Sequence, residues 1–107
     1  MIAVVSQAWT LDETENAEAY VRLSAEFLEL MSTHPGFLGR RLLRGVEDRT
    51  HFTNVRFFES VASYEELTKR PGYSEHIIKM GAHLKPYTTY PREFMDVVLN
   101  DDVRKGP

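Results

Sequence analysis

Cysteine is absent from this 107-residue chain, tryptophan occurs once, and charge of neither sign dominates. Each scarcity removes a class of function. Without cysteine there is no disulfide, no thiolate metal site and no cysteine nucleophile, and the composition suits a reducing cytoplasm. A formal net charge of -3 gives no electrostatic footprint for nucleic acid. No apolar run approaches the ~20 residues that a membrane-spanning helix needs. The opening residues lack the basic and long apolar regions of a signal peptide. Glycine is sparse, and Gly36 with Gly39 opens a strand rather than a helix, so no phosphate-binding loop is present. His34, His51 and His83 show no metal-ligand spacing. The expectation is a cytoplasmic protein with no nucleic-acid partner, no membrane partner and no metal.

What is present suits a globular domain: 42% hydrophobic and 27% charged residues. The length predicts one domain over residues 1–100, followed by a polar tail over 101–107 that frays. Residues 2–9 are β-rich and nearly all apolar, which predicts a strand buried on both faces. Small polar and acidic residues over 10–16 suit the start of a helix. That helix is expected from about Thr14 to Ser32, with Tyr20, Leu23, Phe27, Leu30 and Met31 forming its apolar stripe. His34-Pro35-Gly36 stops it.

Residues 37–46 and 51–58 read as two strands of a hairpin, joined by a polar turn over 47–50. In the second of them Phe52, Asn54, Arg56 and Phe58 share one face, while His51, Thr53, Val55 and Phe57 share the other. Ser60 is placed to cap a short helix carrying Tyr64 and Leu67, and Ser63 with Glu66 also fits a capping box. Pro71-Gly72 breaks this helix, and a second piece follows from Tyr73 to about Ala82. A loop over 83–91 leads to a last strand over 93–99.

The order β-α-β-β-α-β is the split βαβ, ferredoxin-like arrangement: an α+β fold with a four-stranded antiparallel sheet. Two helices on one face leave the other bare, yet the first and last strands are apolar on both faces. Such a face needs a cover, and a second copy of the chain supplies it. A homodimer is therefore expected.

The runs HPGFLGRRLLRGVED (34–48), FFESVASYEEL (57–67) and RPGYSEHI (70–77) resemble the antibiotic biosynthesis monooxygenase family of dimeric α+β barrels. The resemblance covers almost the whole chain and implies a homodimer whose sheets close into a barrel. Some members oxidise aromatic polyketide phenols with oxygen and no required cofactor. They resemble this chain at Asn54, and at Tyr64 where they carry a tyrosine, but Phe58 stands where they have tryptophan, which removes an indole donor. The resemblance implies a monooxygenase of this kind acting on a small aromatic ligand. Asn54 orients that ligand, Tyr64 and Arg56 assist with proton and charge, and Phe58, Phe52 and Trp9 contact it. Other members bind and open haem through a helical histidine. His76 falls at that place, but Leu67 occupies the position of their haem-distorting tryptophan, and none of Ser6, Gln7 and Ala8 supplies their asparagine. A haem-binding or haem-degrading protein using His76 is the alternative, as is a non-catalytic barrel that binds a small molecule.

Overall fold

The computed structural model describes residues 1–86 and 91–102. Four strands and three helices follow in the order β1 (Ile2–Trp9), α1 (Glu15–Ser32), β2 (Phe37–Arg44), β3 (His51–Phe58), α2 (Val61–Thr68), α3 (Tyr73–Gly81) and β4 (Glu93–Asp96). The sheet is antiparallel with strand order β2-β3-β1-β4, and this is the expected ferredoxin-like α+β topology.

Register assigns the two faces. Val4 lies opposite Arg56, Ser6 opposite Asn54 and Ala8 opposite Phe52. Arg40 and Leu42 of β2 lie opposite Arg56 and Asn54. This face carries the helices. Its core joins Val4, Phe52 and Phe58 of the sheet to Ala17, Tyr20, Phe27 and Met31 of α1, to Tyr64 and Leu67 of α2, and to Tyr73 and Met80 of α3. The predicted stripe of α1 is thus the buried one, with Leu23 and Leu30 at its margin. Burying a large aromatic side chain contributes about 1.5–3 kcal/mol relative to leaving it in water.

Two strand ends differ from the sequence reading, and the capping box and the loop before β4 need comment. β2 ends at Arg44 rather than residue 46, because the Gly45 N–H already bonds the His51 carbonyl at 2.8 Å and closes the hairpin. β4 spans four residues rather than seven. Its pairing with β1 ends at Ile2 opposite Asp96, and one further bond runs from the Val97 N–H to the Met1 carbonyl. Val98 and Leu99 are left exposed. α2 is capped by Ser60, whose Oγ accepts the Ser63 N–H at 3.1 Å, so Ser63 lies within the helix and starts no capping box. The loop expected over 83–91 and the frayed tail over 101–107 fall partly on residues outside those described, but residues 83–85 are tied down. The Leu11 N–H bonds the His83 carbonyl, the Lys85 N–H bonds the Trp9 carbonyl, and His83 Nδ1 donates to Asn16 Oδ1.

The His34-Pro35-Gly36 motif does more than stop α1. His34 Nε2 donates to the Ser63 carbonyl at 2.8 Å, and the Glu59 N–H bonds the Gly36 carbonyl at 2.9 Å. A Cβ on Gly36 would collide with the Ser63 side chain. The end of α1 is therefore locked onto the start of α2, which requires glycine at 36. Gly72, at φ 91°, supplies the left-handed residue between α2 and α3.

Candidate functional site

Between the sheet and helices α1 and α3 lies a cavity of about 360 Å³, near the lower end of the ~300–1,000 Å³ range of small-molecule sites. Its floor is the inner sheet face: Ser6 and Ala8 of β1, Asn54 and Arg56 of β3, and Arg40 of β2. Tyr20 and Phe27 of α1 and Ile77 and Met80 of α3 form the wall. Gln7, Trp9, Gly81, Leu84, Lys85 and Arg92 complete the lining. The cavity exists because small residues, Ser6 and Ala8, stand on the sheet where Val4 and Phe58 fill the space further along.

Two polar groups on the floor lack the partners that burial demands. Asn54 Oδ1 is buried and accepts no hydrogen bond. Arg56 is 3% exposed; its Nη1 donates to the Tyr73 hydroxyl at 2.8 Å, but its Nε is buried and donates to nothing. No carboxylate among the described residues pairs with it; the ion pair found there is the exposed contact of Arg41 with Asp102 at 3.5 Å. An orphaned buried amide costs about 1–3 kcal/mol, and a buried unpaired charge costs more. Arg40 also stands on the floor. Its Nη1 donates to the Ser24 carbonyl at 2.6 Å. Burial, and then the charge of Arg56, lower its pKa, while Tyr20 opposes the shift.

The expected site residues divide into three groups. Asn54 and Arg56 are brought together on the cavity, whereas Trp9 only borders it, its ring stacked on His51 on the opposite sheet face. Tyr64 lies outside it, lining an adjoining hollow with Tyr73, Ile77 and Arg92. Arg56 links the two spaces, since its guanidinium lies 5.2 Å from the centroid of the Tyr64 ring while its Nη1 holds Tyr73. Burial, then the neighbouring Tyr73 hydroxyl, raise the Tyr64 pKa against the pull of Arg92 and Arg56. Tyr64 therefore keeps its proton at neutral pH and is a donor, not a base. Phe52 and Phe58 form the third group. Phe52 packs on Tyr20 at 5.0 Å between ring centroids, and Phe58 lies between Phe37 and Tyr64. Both are core residues that do not line the cavity.

The histidine of the haem alternative is engaged elsewhere. His76 Nε2 donates to the Leu23 carbonyl at 2.6 Å, and the ring lies against Phe27 at 4.6 Å and 19°. It is not among the lining residues, and Leu67 is buried in the core. These residues do not fit an axial ligand facing a haem plane.

Sequence reasoning missed Arg40, Tyr20, Met80, Lys85 and Arg92 as lining residues. Arg40 was within reach: once Arg56 faces inward, a cross-strand partner on β2 must face inward too. The others come from α1, α3 and the segment before β4, and no local pattern places them.

A family model described as antibiotic biosynthesis monooxygenase matches residues 1–77, from β1 into α3. No curated protein matches. Among solved structures, SnoaB, a cofactor-independent oxygenase from Streptomyces nogalater, superposes with a TM-score of 0.78 at 14% identity, covering 92% of this chain and 94% of that one. A Bordetella bronchiseptica protein proposed to be an antibiotic biosynthesis monooxygenase gives 0.78 at 16% identity over 92% and 97%. At such identities the structures share the fold. With most of the chain matched by the family model, this protein belongs to the antibiotic biosynthesis monooxygenase family.

Proposed function

We propose that this protein is a monooxygenase that needs no metal or organic cofactor and oxidises a small aromatic, polyketide-like phenol in the sheet–helix cavity. The observation that carries the reading is Asn54, whose amide lines the cavity with a buried oxygen and no partner. It favours a polar, ligand-orienting site over a passive apolar one, because a side-chain amide on the cavity floor with an unmet acceptor is a cost that an apolar pocket does not need. SnoaB, with the same fold, is described as a cofactor-independent oxygenase, which agrees with this chemistry.

The reaction converts a ring methylene beside a phenol into a carbonyl. Two C–H bonds and the O–O bond break; one oxygen atom becomes the carbonyl oxygen, and the other leaves as water with the two hydrogens. The substrate must first lose a proton so that its electron-rich ring can reduce oxygen. No aspartate, glutamate or histidine lines the cavity among the described residues, so that proton passes to solvent. Its loss is favoured by positive charge nearby, chiefly Arg56. The Asn54 amide can accept from the phenol through Oδ1 or, rotated by half a turn, donate to the phenolate through Nδ2. Arg56 forms the charged side of the site, and Tyr64, in the adjoining hollow, acts on it only through its contact with the Arg56 guanidinium.

Oxygen uptake with a panel of anthrones, in the presence of a chelator, tests the proposal. Asn54→Ala should fold like wild type and turn over about 10²-fold more slowly, as when one oxyanion donor is lost. Asn54→Asp should be slower still, since a carboxylate repels the developing phenolate. Wild-type uptake no faster than the uncatalysed rate would remove this substrate class. Equal uptake by wild type and Asn54→Ala would remove Asn54 from the mechanism.

A further inference from the structure

The chain is acidic overall, with a formal net charge of -3, yet its cavity is cationic. Arg40, Arg56, Lys85 and Arg92 line it, and no aspartate or glutamate does so among the described residues. Lys85 and Arg92 are exposed, so they can be screened by solvent. Arg40 and Arg56 are different. They are cross-strand neighbours on the floor, their side chains face the same way, and neither has a carboxylate partner among the described residues. Arg56 is almost wholly buried and keeps an unsatisfied Nε. Two like charges on neighbouring strands, one of them almost wholly buried, repel one another and lose hydration, a cost that a bound anion offsets. The guanidinium fork suits the planar geometry of a carboxylate. The wall opposite is apolar and aromatic, with Phe27, Met80 and Leu84.

We infer that the ligand of this cavity is an aromatic carboxylic acid: its ring system lies against the α1–α3 wall, and its carboxylate sits on the Arg40–Arg56 pair. The acid is a fixed anchor, separate from the phenol that meets Asn54. This inference rests on the reading of the cavity as the substrate site, and it narrows the substrate from any phenolic aromatic to one that carries a permanent negative charge.

Binding is read by isothermal titration calorimetry, which needs no reporter group in the cavity. The probes are anthraquinone-2-carboxylate, its methyl ester and the unsubstituted anthraquinone, titrated without oxygen. The acid should bind about 10- to 100-fold more tightly than the ester, the value of a hydrogen-bonded charge. Arg40→Gln and Arg56→Gln should each bring the acid-to-ester ratio close to one. Should Arg56→Gln fail to fold, Arg40→Gln and the wild-type ratio still decide the matter. Equal affinity for acid and ester in wild type overturns the inference, as does a ratio that survives both substitutions. The two proposals fail separately. Selective binding of the acid with no oxygen uptake on any anthrone sinks the monooxygenase and keeps the anchor. Oxygen uptake on neutral anthrones without preference for the acid does the reverse.

Discussion

Asn54 and Phe58 lie four residues apart on one face of β3, yet one meets the cavity and the other is sealed in the core. The period of a strand assigns a residue to a face but does not say where along that face the helices leave a gap. That is how far the site was legible: Asn54 and Arg56 follow from alternation together with the family resemblance, whereas the packing of Phe52 on Tyr20 and of Phe58 between Phe37 and Tyr64 depends on partners distant in sequence. The distinction is measurable. Phe58→Ala empties a fully buried position and should cost about 3–5 kcal/mol of unfolding free energy, with the affinity of the folded fraction for an aromatic acid unchanged within a factor of about two. A urea melt combined with a calorimetric titration gives both values. A change confined to affinity would mean that Phe58 faces the ligand after all.

At the scale of elements, strands and helices declared themselves where local chemistry and packing agree. β1 and β3 have the limits read from the sequence, because each runs the full length of its partner. β4 was overextended, because the apolar residues after Asp96 have no described strand beside them. The start of α1 is subtler. Thr14 makes no side-chain cap; Asp12, two residues upstream, accepts the N–H groups of Thr14 at 3.0 Å and Asn16 at 2.9 Å, and the Asn16 amide at 2.7 Å. These bonds, led by the Asn16 side chain, hold the Asp12 carboxyl below its ordinary 3.8. A depressed carboxyl pKa adds stability that is complete above the unfolded value and lost as pH falls through the folded one. Asp12→Ala should therefore lower the urea midpoint at pH 7, and the gap from wild type should narrow steadily below about pH 4. A gap independent of pH would assign the loss to helix propensity rather than to the charged cap.

For the whole molecule, the decisive feature is the sheet face opposite the helices. Ala3 and Val5 of β1, Val55 and Phe57 of β3, Leu43 of β2 and Met95 of β4 fall on it by register, and Leu43 and Met95 are each about half exposed. An apolar sheet face of this breadth is costly in water. Its central polar groups are satisfied internally: His51 Nε2 donates to Gln7 Oε1 at 2.8 Å, Thr53 donates to the same oxygen at 2.6 Å, and Trp9 stacks on His51 at 4.5 Å, while the charged Arg41 and Glu93 stand on the edge strands β2 and β4. Covering this face with another sheet therefore orphans few groups, which favours a dry interface. The proposed homodimer packs outer face on outer face and leaves the cavity, on the inner face, open in each copy. Light scattering should give about twice the mass of one chain, and Phe57→Glu, which sets a carboxylate on this face, should shift the protein toward monomer without abolishing binding of the aromatic acid. Loss of binding together with the dimer would place part of the site across the interface. A wild-type mass of one chain at tens of micromolar would leave the outer face to some other partner and end the case for the dimer.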